Sequence, residues 1–224
     1  MKVNTECKFY KLTGIEAILG SLPPSPEVYS EYLRKKVPEY RQAEVDAEIE
    51  LMEQNAADKI DNKMTVFQPD NHGRLCIKDY VIKGFFKAAL TTLKDQLSVK
   101  AAKSKIDNLV FISPTYIQFR SGKDYYTKED YICERPLRAE TMQGPRVALA
   151  ASQALDPGWE IYFRVDIVEN YATKASKDIS FDILETALDY GRFKGLGQWR
   201  NAGNGRFSWE EINEEEYKQA YGIK

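Results

Sequence analysis

The sequence predicts an α+β fold whose core runs strand, helix, strand, strand, helix, strand. Three observations predict it. Trp159–Val168 alternates, with Ile161, Phe163, Val165 and Ile167 on one side, which is the period of a half-buried strand. Ile82–Leu93 and Phe181–Tyr190 carry apolar residues at helical spacing; Phe85, Phe86, Ala89, Leu90 and Leu93 mark the buried face of the first. The second helix leads into Gly191–Phe207, which holds five glycines and four basic side chains, and then into an alternating strand, Arg206–Ile212.

Length and composition bound the answer. With 224 residues the chain suits one domain spanning 1–224, long enough for a substantial core. It is 43% hydrophobic and 29% charged with a net charge of −2, an ordinary globular balance that argues against an indiscriminate nucleic-acid binder. The charge is uneven: residues 27–61 and 210–216 lean acidic and 83–206 lean basic, so one face can be positive. No N-terminal apolar run reads as a signal peptide and no stretch approaches a membrane span. Cys7, Cys76 and Cys133 are odd in number and far apart, which reads as reduced thiols and a cytoplasmic protein. They form no zinc pattern. His72, the only histidine, sits beside Asn71 and Gly73 and reads as a turn residue. No metal or cofactor is expected.

In order, Val3–Leu12 reads as the first strand, ended by Gly14, and 15–21 closes the opening unit. Leu22–Pro26 is a stiff connector because each proline fixes φ and lacks a donor. Ser25 before Pro26 is a helix start, and about 22–63 reads as a charged helical insertion on the surface, whose carboxylates form a solvated face. Residues 64–77 read as a hairpin turning at Pro69–Gly73. Lys83 and Gly84 are expected at the N-terminus of the first core helix, where free amides favour an anion; the alternative is a solvent-facing lysine. Residues 109–119 are expected to make one long strand broken at Pro114. Residues 120–157 show little periodicity, and Arg135, Arg138 and Arg146 among Thr, Gln and Gly suit a binding loop. The alternative is a hairpin arm whose arginines pair with Glu134 and Glu140. Asp156–Gly158 is a turn, and Ser180 is expected to cap the second core helix.

The glycine-rich run carries the strongest chemical signal. Glycines admit positive φ and close approach to the backbone, and successive amides in such a loop can form an anion-binding concavity. Arg192, Lys194, Arg200 and Arg206 supply the charge a phosphodiester needs. The glycines follow a helix and precede a strand, the reverse of a P-loop or a dinucleotide fingerprint. A long turn with solvated arginines is the competing reading.

Stripped of its insertions, the order is the ferredoxin-like (RRM-like) β-α-β-β-α-β plan. Here the sequence resembles the RAMP superfamily of CRISPR-associated proteins, and within it the backbone subunit that polymerises along a guide RNA. Four stretches carry the resemblance: Ile18–Ser21, Ile82–Ala89, Asp156–Phe163 and Leu196–Phe207. It implies an RNA-binding component of an antiviral ribonucleoprotein that associates with itself or with other subunits. It implies RNA-backbone contacts from Lys83, Arg200 and Arg206, and gives 120–157 the place of the family's thumb. The RNA-binding set expected is Lys83, Gly84, Lys87, Arg135, Arg138, Arg146, Arg192, Lys194, Gly197, Trp199, Arg200, Gly203, Gly205 and Arg206. The chain departs from the family at Lys87, where an arginine is usual, at Gln198, where a second glycine is common, and in its acidic insertion. Some members cut RNA with an aspartate between the first strand and the first helix. Asp58, Asp61 and Asp70 are available and no motif selects among them, so no catalytic residue is assigned. Two alternatives stand beside RNA binding: a metal-dependent ribonuclease of this fold, and an interaction module or inhibitor that docks on an RNA-guided complex, which the acidic insertion and tail favour.

Overall fold

A computed structural model describes residues 4–23, 64–141, 144–168 and 179–223. The fold is mixed α+β with several antiparallel sheets. The helical insertion expected at about 22–63, with its Ser25–Pro26 start, lies outside the described residues from Pro24 onward.

The central sheet is built on β1 (Thr5–Gly14), which lies between β12 (Glu160–Val168) and β13 (Phe207–Ile212), antiparallel to both. The far edge of β12 pairs with β6 (Val110–Ser113), giving the order β13–β1–β12–β6. Strand β1 runs through Gly14 instead of breaking there: Gly14 pairs with Phe207, and its amide donates to the Trp159 carbonyl at 2.7 Å.

Alternation decides which face is buried. Tyr10, Leu12, Ile161, Phe163, Val165 and Phe207 point to one side and are buried there. Against them pack α1 (Asp79–Thr92), through Phe85, Phe86 and Leu90, and, after two short helices α2 (Lys94–Leu97) and α3 (Ala102–Leu109), α4 (Phe181–Asp189), through Leu184, Ala187 and Leu188. Ser180 occupies the N-cap position of α4, but its hydroxyl makes no cap bond. At one end of the sheet a polar clamp joins β1, α4 and β13: Lys8 reaches Glu185 at 2.7 Å and Glu211 at 2.8 Å, and the Tyr10 hydroxyl donates to Glu185.

The opposite face of the sheet is covered by a C-terminal helix (Glu214–Tyr221), which the sequence reading did not anticipate. Asn213 and Glu216 form a reciprocal capping box at its start. Tyr217 stacks on Phe9 at 4.9 Å, the Tyr221 hydroxyl donates to the Tyr162 carbonyl, and Arg120 donates to the Ala220 carbonyl.

Two further sequence expectations are corrected. Residues 109–119 do not form one strand. Strand β6 belongs to the central sheet, whereas β7 (Tyr116–Gln118) pairs with β5 (Leu75–Lys78), which in turn pairs with β4 (Gln68–Pro69) around the expected Asp70–Gly73 turn. Pro114, which lacks a ladder donor, sits where the chain changes sheets. Nor is the region before Asp156 irregular. After a small hairpin, β8 (Arg120–Ser121) and β9 (Asp124–Tyr125), come β10 (Tyr131–Thr141) and β11 (Gly144–Leu155), an antiparallel arm in unbroken register from Tyr131↔Ala154 to Thr141↔Gly144. The base of the arm docks on β2 (Ile18–Leu19) and β3 (Met64–Thr65).

Candidate functional site

The glycine-rich run joins α4 to β13, as the sequence predicts. Beyond Tyr190 a single helical turn, α5 (Gly191–Lys194), ends at Gly195; the chain then runs out to Trp199, makes a 3₁₀ turn over Arg200–Ala202, and returns through Gly203 and Gly205. Its neck is closed by the Leu196 amide donating to the Gly205 carbonyl at 2.9 Å. The loop then docks on the segment between β1 and β2: the Gly205 amide donates to Ala17 at 2.7 Å and the Gln198 amide to Leu19 at 3.2 Å. Gly205 is obligatory here. Its φ is +73°, and a Cβ would overlap the Leu196 carbonyl oxygen. Gly197, at φ +75°, is also tightly placed: a Cβ there would fall 2.5 Å from the Leu19 carbonyl oxygen.

This geometry changes the expected anion concavity. The amides of Leu196, Gln198, Ala202, Gly203 and Gly205 are spent on internal carbonyls. The amides of Trp199, Arg200 and Asn201, at the tip, have no such partner among the described residues. Trp199 holds a left-handed backbone (φ 50°, ψ 39°), followed directly by the right-handed 3₁₀ turn; that sequence of conformations turns successive amides to one side.

The arm and the loop meet at one contact. Arg135, on β10, is only 7% exposed, donates to the Ser152 hydroxyl at 2.9 Å, and sets its guanidinium carbon 5.2 Å from the centre of the Trp199 ring. Ser152 in turn lies 2.6 Å from the Thr65 hydroxyl, so three segments hold this arginine. Its Nε is buried without a hydrogen bond among the described residues. Arg135 therefore does not pair with Glu134, as a simple hairpin arm would suggest. Arg206 also has a buried Nε without a bond, and its guanidinium lies against Gly203. Lys194 reaches Asn201 at 3.4 Å, Arg200 is half-buried, and Arg192 is exposed beside Phe193.

The remaining expected residues distribute as follows. Lys83 and Gly84 are not at the helix N-terminus: α1 begins at Asp79, after Lys78, and the Asp79 amide is spent on the Thr115 carbonyl. Lys83 instead donates to the Asp107 carbonyl at 3.1 Å and lies over the Phe111 ring; Lys87 pairs with the Asp107 carboxylate at 2.8 Å. These lysines tie α1 to α3. The start of α1 nevertheless adjoins the loop, since Gly197 shares a narrow cleft with Leu19, Lys78 and Val81. Arg138 and Arg146 lie on the arm, opposite Val147 and Ala139, and their side chains are outside the described residues.

Of the three aspartates, Asp58 and Asp61 lie outside the described residues. Asp70 organises its turn, accepting from the amides of His72 and Arg74, from the Arg74 guanidinium at 2.6 Å and from Gln118. Burial opposes its ionisation, but these donors outweigh burial and hold the carboxyl below its ordinary range. Among the described residues no group of three or more His, Cys, Asp or Glu could hold a metal ion, and no helix is long and apolar enough to cross a membrane. Sequence reasoning missed Ser152 and Thr65, the seat of Arg135. Only their register across β11 and β3 reveals it, and no local pattern announces it.

No protein-family model matches this chain, and no curated protein matches it in sequence.

Proposed function

We propose that the chain is a non-catalytic RNA-binding protein of the RAMP superfamily, which grips the backbone of a guide RNA within a ribonucleoprotein. The order β13–β1–β12–β6, with α1 between β1 and β6 and α4 between β12 and β13, supports a ferredoxin-like plan in which the strands lie fourth, first, third, second. The observation that carries the functional reading is the loop before the last strand. It is clamped against the exit of the first strand, and its tip presents, beside Arg200 and Arg206, three amides that have no carbonyl partner among the described residues. Fixed amides and arginines of this kind suit phosphate oxygens, which position a nucleic acid without reading its sequence. The covering of the other sheet face by the C-terminal helix favours this end of the sheet over the open face that RRM-type proteins use.

The test is RNA binding by the full chain across a salt series, with an Arg200→Ala, Arg206→Ala variant alongside and mass measured by size exclusion. Each lost phosphate contact on a single strand lowers the slope of log K against log salt by about 0.7. A shallower slope in the variant, with wild-type mass growing with RNA length, is the expected result. Wild type that ignores RNA at low salt overturns the reading and directs the search to protein partners.

A further inference from the structure

We infer that Trp199 is a stacking platform for one unpaired base of a single-stranded nucleic acid, with Arg135 bracing the ring from behind; this rests on the RNA-binding reading above. The argument begins with a backbone that does not suit its residue. Trp199 has φ 50° and ψ 39°, a left-handed conformation that a bulky aromatic side chain rarely takes. Glycine or asparagine would hold the same turn with less strain. A tryptophan kept in this conformation is there for its ring, and strain of this kind gathers at functional sites.

The ring does not serve the core either. Trp199 is 43% exposed and stands apart from the buried cluster that contains Trp159. One indole face is taken by Arg135, so the exposed area belongs to the other face and the edge. Arg135 is itself costly to the fold, because it is a charged side chain, 7% exposed, with one buried nitrogen that has no partner among the described residues. Its bond to Ser152 and the Ser152–Thr65 contact fix it as a rigid backstop, which in turn fixes the indole plane. A base stacking on the open face would complete a sandwich of base, indole and guanidinium.

The same turn supplies the phosphate side of that nucleotide, through the tip amides of Trp199, Arg200 and Asn201, which no carbonyl among the described residues occupies, and through Arg200 and Arg206. Since every base has a π face, this platform selects single strands over duplexes and shows no strong base preference.

The test compares a single-stranded oligoadenylate RNA with a ribose-phosphate oligomer of equal length that lacks bases. The proteins are wild type, Trp199→Asn, which keeps a residue tolerant of the left-handed backbone, and Trp199→Phe, which keeps a ring. Wild type is expected to bind the base-bearing oligomer roughly tenfold more tightly than the abasic one, the scale of one stacked base. Trp199→Asn should bring the two together, Trp199→Phe should fall between, and abasic binding should be equal in all three. Adenylate should quench wild-type tryptophan fluorescence, a readout that stands even if a variant fails to fold. A base preference that survives in Trp199→Asn, or no quenching in wild type, overturns the platform and leaves the RNA reading in place. Failure of wild type to bind either oligomer overturns both and makes the exposed ring a protein-docking feature.

Discussion

Replacing Gly205 by alanine tests whether the loop is locked through its backbone. At φ +73° an alanine pays about 1–2 kcal/mol for the left-handed conformation alone. Its Cβ would overlap the Leu196 carbonyl oxygen and sit 2.7 Å from the Leu196 nitrogen and 2.8 Å from its carbonyl carbon. Those are main-chain atoms, so no rotamer change relieves the clash. The neck must open, and with it goes the Leu196–Gly205 bond or the Gly205–Ala17 bond. Stranding one buried partner adds about 1–3 kcal/mol. The total, about 2–5 kcal/mol, is a large part of the stability of an ordinary domain. Urea unfolding followed by circular dichroism reads this directly: with a slope of about 2 kcal/mol/M, the midpoint should fall by about 1–2.5 M. Gly84→Ala is the internal control. Gly84 lies inside α1, a Cβ there meets nothing within 4 Å, and alanine should raise stability by about 0.5–1 kcal/mol. A Gly205→Ala midpoint indistinguishable from wild type would refute the reasoning, since it would mean that the neck opens at no cost.

Two further predictions follow from contacts away from the loop. Asp70 has a folded pKa below its unfolded value, so its contribution to stability is present above about pH 3.9 and is lost as pH falls through the lowered folded value. Asp70→Asn should therefore melt below wild type at pH 7, with the gap closing as the pH falls below about 3.9 and through the lowered folded value; a gap independent of pH in thermal melts would contradict this assignment. Tyr217→Ala removes one ring and its two contacts, at 4.9 Å from Phe9 and 5.0 Å from Tyr221, a loss of about 1–3 kcal/mol. Hydrogen exchange should speed up in the C-terminal helix while β1 stays protected; equal acceleration in both would show that the helix and the sheet open as one unit.

Strands β1 and β12, helices α1 and α4 and the glycine loop were legible in the sequence because each carries its own periodicity or its own glycines. The arm was not. Pro136 and Pro145 break the strand pattern in the sequence, though not the ladder itself, and alanines 148, 150 and 151 blank out the alternation, so a regular ladder looked like a loop. The start of α1 was misjudged because Lys78 stands at the N-cap with no capping side chain, leaving only the later apolar run to mark the helix. That error placed Lys83 about a turn too early and gave it an anion, when its partner is Asp107. The C-terminal helix was hidden by Glu214–Glu216, whose charges read only as an acidic tail favouring an interaction module, although Tyr217 and Tyr221 anchor it. In the site, the arginines could be named from the sequence, but the pairing of Arg135 with Trp199 could not, because it depends on how β10 lies across the loop.

The placement of β1 has a kinetic consequence. Thr5 pairs with Val168 and Gly14 with Phe207, so β1 is made well before either strand that pairs with it. At a synthesis rate of roughly 5–20 residues per second, Tyr10 and Leu12 wait on the order of 10–40 s for the strands that bury them. Pairings so distant along the chain also put the loop-closure cost ahead of the contacts that reward it, which slows folding. The nascent chain is thus committed to holding an apolar strand edge open until β12 and β13 emerge. A ribosome that stops short of Ile212 would release a product with that edge unpaired and prone to aggregate.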